Sequence, residues 1–167
     1  ALDSLKRGFM KQETERPFEK YPAGGKSLLG KRVLGSCRHH YGLEFFNITG
    51  VHTCAYCGLD LTSSYEVWLN TALDHAVPAS VCDALGISQD WRDDYSNSVL
   101  ACSACNSFDN RYKPTFEART PLSLEEFFAL RDRIFAERRS RILNAHYRER
   151  EFFHKHWLGG VEDKSDE

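Results

Sequence analysis

Cys54-Ala-Tyr-Cys57-Gly58, Asp74-His75-Ala-Val-Pro78 and Asn97-Ser-Val-Leu-Ala-Cys102-Ser-Ala-Cys105-Asn106 follow one another along the chain, and their reading decides the fold. A Cys-x-x-Cys pair is the spacing at which two thiolates turn back onto one ion. Two such pairs complete the four-sulfur set of a closed structural zinc site. Gly58 supplies the backbone freedom that a tight knuckle needs. The two pairs lie further apart than in a compact zinc ribbon, so the inserted segment is where function is expected. That segment and its end carry a different chemistry. Asp74, Asn97 and Asn106 are oxygen-bearing side chains of the kind that suits a second, harder metal, and His75 is a side chain that can accept a proton from water near neutral pH.

Outward from this stretch, Tyr65 to Leu73 alternates and is rich in strand formers, which predicts a strand leading into Asp74-His75. Neighbours on a strand point to opposite faces, so a bend near Pro78 is needed to bring Asp74 and His75 to one site. Ser80 to Leu85 followed by Gly86 predicts a short helix with a glycine stop. Ser88 is placed to cap a further turn carrying Asp90, Asp93 and Asp94, read as solvated carboxylates near a helix start. Ser98 to Ala101 reads as a second strand, and Ser103 to Asp109 as the helix after it. The aromatic cluster from Cys37 to Gly50 reads as a short strand or a core-covering loop. His39 and His40 are adjacent and are read as packed or exposed; His52 is close to Cys54, but the four cysteines make it unnecessary as a ligand.

Beyond Pro121, Ser123 with Glu126 forms a capping box. Phe127, Phe128, Ile134, Phe135, Ile142, Ala145, Phe152, Phe153 and His156 then recur at helical spacings. A long amphipathic helix is expected, with Asn144 marking a candidate break. Its other face is read as bearing Arg131, Arg133, Arg138, Arg139, Arg141, Arg148 and Arg150, a ridge suited to phosphate or to surface ion pairs.

A chain of 167 residues with 41% hydrophobic content can bury one substantial core. The expected organisation is a basic N-terminal arm over 1–36, one domain over 37–160 and an acidic tail over 161–167. Within the domain a motif core spans 54–113 and a helical part 121–157. The net charge of −2 hides an acidic centre between basic flanks, as suits a cation-collecting site beside segments that grip a polyanion. No apolar run is long enough to span a membrane, and the N-terminal residues lack the apolar centre of a secretory signal. A cytoplasmic, intracellular setting with no membrane partner is therefore expected, where paired cysteines read as metal ligands. Cys37 and Cys82 are left over as buried thiols, and Asn47-Ile-Thr49 is a chance match to a glycosylation acceptor. Gly25-Lys26-Ser27 lacks the upstream glycine of a phosphate-binding loop, which excludes that motif.

Taken together, the two Cys-x-x-Cys pairs, Asp74-His75-x-x-Pro78, Asn97 and Asn106 resemble the HNH endonuclease family, in the subgroup whose ββα-metal motif rests on a four-cysteine zinc site. The resemblance covers residues 54–113. It implies an α+β, treble-clef-like fold and a metal-dependent nuclease that hydrolyses DNA phosphodiester bonds. It implies that Cys54, Cys57, Cys102 and Cys105 hold structural zinc and that Asp74 and Asn106 ligate a catalytic Mg²⁺ or Mn²⁺. His75 would be the general base, and Asn97 would steady the hairpin and the histidine. Many relatives carry a lysine three residues after the last motif position, where this chain has Asp109; either Arg111 or Lys113 takes over phosphate contact, or Asp109 adds a carboxylate near the metal. The alternative reading is a zinc-stabilised nucleic-acid-binding module whose nuclease site is vestigial.

Overall fold

The computed structural model describes residues 37–159. The expected N-terminal arm and the acidic tail lie outside the described residues. A wide helical turn at Cys37–Tyr41 runs into helix α1 (Gly42–Thr49), which corrects the expectation of a strand or loop there. Phe45 enters the core, while Leu43, Phe46 and Ile48 stay exposed. One face of this short helix turns inward, and the residues on its other face cannot follow.

The second correction concerns Tyr65 to Leu73. Tyr65–Leu69 is a helix, α2, and the strand β1 is confined to Thr71–His75. Ser64 accepts the Val67 backbone N–H at 3.1 Å and starts the helix, and the Asn70 side chain donates to the Glu66 carbonyl at 2.8 Å and closes it. These two local caps outweigh the strand-like alternation. A strand would have put Tyr65, Val67 and Leu69 on one face; in the helix Val67 alone packs against the core and Tyr65 stays exposed.

The segment after β1 folds as its punctuation predicts. Helix α3 (Ala79–Leu85) stops at Gly86, whose φ of 66° is a left-handed conformation that favours glycine. Ser88 caps α4 (Gln89–Arg92) by accepting the Trp91 N–H. The chain then turns through Tyr95–Asn97 into β2 (Ser98–Cys102), which pairs antiparallel with β1 in the register Thr71 to Cys102 and His75 to Ser98. Helix α5 (Ser103–Phe108) begins where β2 ends. The molecule is thus mixed α+β around a two-stranded sheet.

Helix α6 (Leu124–Phe152) is capped by Ser123, which accepts the Glu126 N–H, while the Glu126 carboxylate accepts from Leu122 N–H. It runs unbroken through Asn144 and passes into a wide turn at Phe153–Leu158. Two apolar clusters meet along it. Phe127 and Ile134 pack with Val77, Val81, Cys82, Ile87 and Tyr112 under the segment joining the strands. Phe135 and Ile142 pack with Tyr56, Leu61, Val99, Leu100 and Ala101 under the hairpin. Burying side chains of this size contributes about 1.5–3 kcal/mol each, so α6 is the element that joins both halves. No helix among the described residues is long and apolar enough to cross a membrane.

Candidate metal and hydrolytic site

Backbone pairing assembles the four cysteines. The first knuckle is closed by Gly58 N–H donating to the Cys54 carbonyl at 2.9 Å and by Cys54 N–H donating to Leu59. Gly58 takes a positive φ of 75° there. Ala55 N–H then donates to the Leu100 carbonyl at 2.8 Å, which fastens the knuckle to β2. Cys102 ends β2 and precedes α5, while Cys105 lies in its first turn. All four sulfurs lie within 4.8 Å of one another, and Cys57 and Cys102 are 3.9 Å apart. Zinc–sulfur bonds of about 2.3 Å in a tetrahedron put sulfurs roughly 3.8 Å apart, so the quartet fits zinc. Thiol hydrogen bonds from Cys105, Cys54 and Cys57 pull the Cys102 thiol far below its ordinary range, and the same coupling pushes Cys105 upward. Four sulfurs this close can all ionise around one cation, which offsets their mutual repulsion. His52 is not part of the cluster; it pairs with Asp60 at 3.0 Å.

The leftover thiols are quiet. Cys82 is fully buried, donates to the Val77 carbonyl and is pushed up to about 12 by burial. Cys37 is half-buried and raised to about 11, also by burial. His39 sits edge-on to Trp68, and His40 is exposed.

Asp74 and His75 diverge at the end of β1. Asp74 faces α6, where its Oδ2 accepts from the Tyr56 hydroxyl and from Arg138 at 2.9 Å. His75 faces the opposite way, its Nε2 lying 3.2 Å from Asp93 Oδ1. Hydrogen bonds from Arg92, chiefly, hold the Asp93 carboxyl below the usual carboxylate range. An ionised carboxylate only accepts, so Nε2 is the protonated ring nitrogen and Nδ1 is the one free to take a proton. Asp93 is thus a partner of His75 and not the solvated carboxylate expected; neither spacing nor composition signals this partnership, which depends on the fold of the inserted segment.

Asn97 is fully buried and closes the hairpin. Its Oδ1 accepts the Val77 N–H at 2.9 Å, and its Nδ2 donates to the Val77 and Arg92 carbonyls. One side chain thereby fixes both the turn after His75 and the end of α4, which carries the chain to Asp93. Asn106 lies half-buried on α5, directly after Cys105. Arg111 and Lys113 are exposed on either side of buried Tyr112. The Tyr112 hydroxyl donates to Glu137, which also accepts from Thr115.

The expected arginine face of α6 needs correction. Arg131 and Arg138 point inward and are 6% and 4% exposed. Arg131 donates to the Ser96 carbonyl at 2.7 Å. Arg138 spans the end of β1, donating to the His75 carbonyl at 2.7 Å, the Ala76 carbonyl at 3.1 Å and the Asp74 carboxylate. Burial of a guanidinium is tolerated because acceptors replace water. The signal was present: Phe127, Arg131, Ile134, Arg138, Ile142 and His146 recur every three or four residues, so the two arginines belong to the apolar stripe. His146 completes that stripe, its Nε2 lying 2.9 Å from Cys105 Sγ.

Asp109 ends α5 beside this network. Its Oδ1 pairs with Arg141 at 3.1 Å, while its Oδ2 is buried without a hydrogen-bond partner. Burial raises its carboxyl, Arg141 and Arg138 oppose the rise, and Asp74 adds to it. Asp74, Asn106 and Asp109 are hard oxygen donors of the kind Mg²⁺ or Mn²⁺ takes, and the orphaned oxygen is one that a cation would satisfy. Among the described residues, the cysteine quartet is nevertheless the one group of three or more His, Cys, Asp or Glu side chains gathered closely enough for an ion. Comparison with protein-family models, with curated proteins and with solved structures finds no match to this chain.

Proposed function

We propose that the protein is a metal-dependent endonuclease of the HNH type, a ββα-metal module resting on a structural zinc, with DNA as its substrate. The observation that carries this reading is the arrangement of Asp74-His75 at the end of β1, antiparallel to a strand that runs through Cys102 into the helix bearing Asn106. The zinc quartet fixes that hairpin to that helix.

In this reading His75 accepts the proton of the attacking water at Nδ1. Asp93 holds the opposite nitrogen protonated and the ring in place, and Asn97 fixes the backbone on both sides of the pair. Asp74 and Asn106 are the residues that would hold a divalent ion. When bound, such an ion supplies charge that offsets the negative charge developing on the phosphate and the leaving oxygen. Arg111 and Lys113, both exposed, are available to phosphate.

One observation favours a second reading, a zinc-stabilised nucleic-acid-binding module with a vestigial nuclease site: Asp74 already has two strong donors on one oxygen. Turnover separates the two. The zinc-loaded full chain should nick or cut plasmid DNA with Mg²⁺ or Mn²⁺, lose this activity in EDTA, and lose at least about a hundredfold in His75→Ala with zinc content and melting temperature retained. Salt-sensitive DNA binding without any metal-dependent cutting would instead establish the binding module.

A further inference from the structure

The apolar stripe of α6 does not end with the core it covers. Phe135 and Ile142 pack under the hairpin and His146 lies against Cys105; steps of three or four residues carry the same face on to Glu149, Phe153 and Trp157. From Tyr147 to Gly159 every residue is exposed. Phe152, Phe153, Trp157 and Leu158 are 55%, 48%, 69% and 49% exposed, and Phe152 packs against His156 with ring centroids 4.6 Å apart. The helix thus overhangs the core by about three turns, with the face that packs elsewhere turned to solvent.

Glu149 decides what this face takes. It stands in the line of the stripe, between Arg148 and Arg150 and two residues before Glu151, so charges of both signs border the aromatics. A membrane surface would draw the Glu149 carboxylate into the acyl boundary, and a nucleic acid would bring phosphate against it; both are costly. A second helix of the same kind avoids both costs. Parallel pairing would set Glu149 against Glu149, whereas antiparallel pairing about Phe153 sets each Glu149 beside His156 and Trp157 of the other copy. Such a two-fold pairing is self-complementary, with aromatic on aromatic at its centre and a carboxylate beside an imidazole at either end. The exposed face offers roughly 500 Å² per copy and about 1,000 Å² in a pair, the size of a transient interface rather than an obligate one.

We propose that the exposed end of α6 and the turn after it, from Glu149 through Trp157, is a docking face for a second copy of this chain, joined antiparallel about Phe153 in a reversible two-fold pair. The proposal goes beyond the nuclease reading and uses none of the residues assigned there.

The test is sedimentation velocity of the zinc-loaded full chain. Its mass should rise from monomer to dimer between about 1 µM and about 500 µM, with a dissociation constant on the order of 10–100 µM. Phe153→Ser and Trp157→Ser, both at exposed positions, should each weaken pairing about tenfold or more with zinc content and melting temperature retained. Glu149→Lys and His156→Glu should each weaken it alone, and a mixture of the two variants should pair again, because each changed side chain then meets its opposite charge. A chain that stays monomeric over the whole range overturns the proposal, as does pairing that Phe153→Ser leaves unchanged. A mixture that does not pair overturns the antiparallel arrangement. Binding to phosphatidylglycerol vesicles or to plasmid DNA that Trp157→Ser abolishes, in a chain that remains monomeric, identifies a different occupant and overturns it as well. Plasmid cutting plays no part in these outcomes, so the nuclease reading stands or falls separately.

Discussion

Asp109 shows what a single carboxyl costs when one of its oxygens is left bare. Its folded-state pKa lies above the ordinary 3.8, chiefly through burial, so the folded chain holds this proton to higher pH than the unfolded chain. Stability from this group is therefore fully present below about pH 3.8, falls as pH rises through the raised value, and stays lower at neutral pH. Removing the charge should reverse the loss. The half-exposed Arg141 partner contributes little by comparison. Asp109→Asn in the cation-free protein is expected to raise the melting temperature at pH 7 by about 2–4 °C, the shift that 1 kcal/mol produces in a chain of this size. The gain should vanish on acidification below the ordinary carboxylate range. Calorimetric scans at pH 7 and pH 3.5 check both the sign and the window.

At the scale of elements, α6 is the helix whose inward face matters most. His146 brings it against Cys105, where the ring nitrogen can donate to a metal-bound thiolate. Such partners of ligating groups are typically worth about ten- to a hundredfold in metal affinity. His146→Ala should therefore lower zinc affinity by about tenfold, measured against a competing chelator, while the helix itself persists through Phe135 and Ile142. The inward face also marks what could be read in advance. Ser88, Gly86 and Ser123 act within a turn of their own position, so the starts of α4 and α6 and the end of α3 were legible. Tyr65 to Leu69 alternates like a strand, but the Ser64 cap makes it a helix. Arg131 and Arg138 look like surface charges, but their place on the apolar stripe buries them. Asp93 was not legible at all, since its meeting with His75 depends on how α3 and α4 carry the chain around.

For the molecule as a whole, the four-cysteine cluster and α6 both hold the hairpin, and they meet where His146 lies against Cys105. The quartet ties the first knuckle to β2 and α5, and α6 packs on the same knuckle and strand, with Phe135 stacked on Tyr56 at 5.1 Å and clustered with Val99, Leu100 and Ala101. Structural zinc contributes on the order of 10 kcal/mol of apparent binding free energy in small domains. Cys105→Ser, or zinc removal by a strong chelator, should abolish the cooperative thermal transition of the hairpin region; calorimetry alongside zinc analysis measures it. Retention of the full transition by a zinc-free chain would show that packing on α6 suffices. The four-cysteine cluster and the mixed α+β character were readable because sulfur spacing constrains distance directly. The covering of Asp74 by α6 was not, since it joins residues far apart in the chain.

The spacing between Arg138 and His146 carries one more consequence. Eight residues of continuous helix set these two side chains at a rise of roughly 12 Å, and each has its own fixed target, one at the end of β1 and one at Cys105. A helix cannot stretch to absorb a change in length. One residue inserted between them would swing the later contact by about 100° around the axis, so the helix could keep its grip on the strand or on the sulfur, but not on both. The interval behaves as a fixed gauge between two anchor points, and insertions or deletions within it should be far less tolerated than substitutions at its exposed positions.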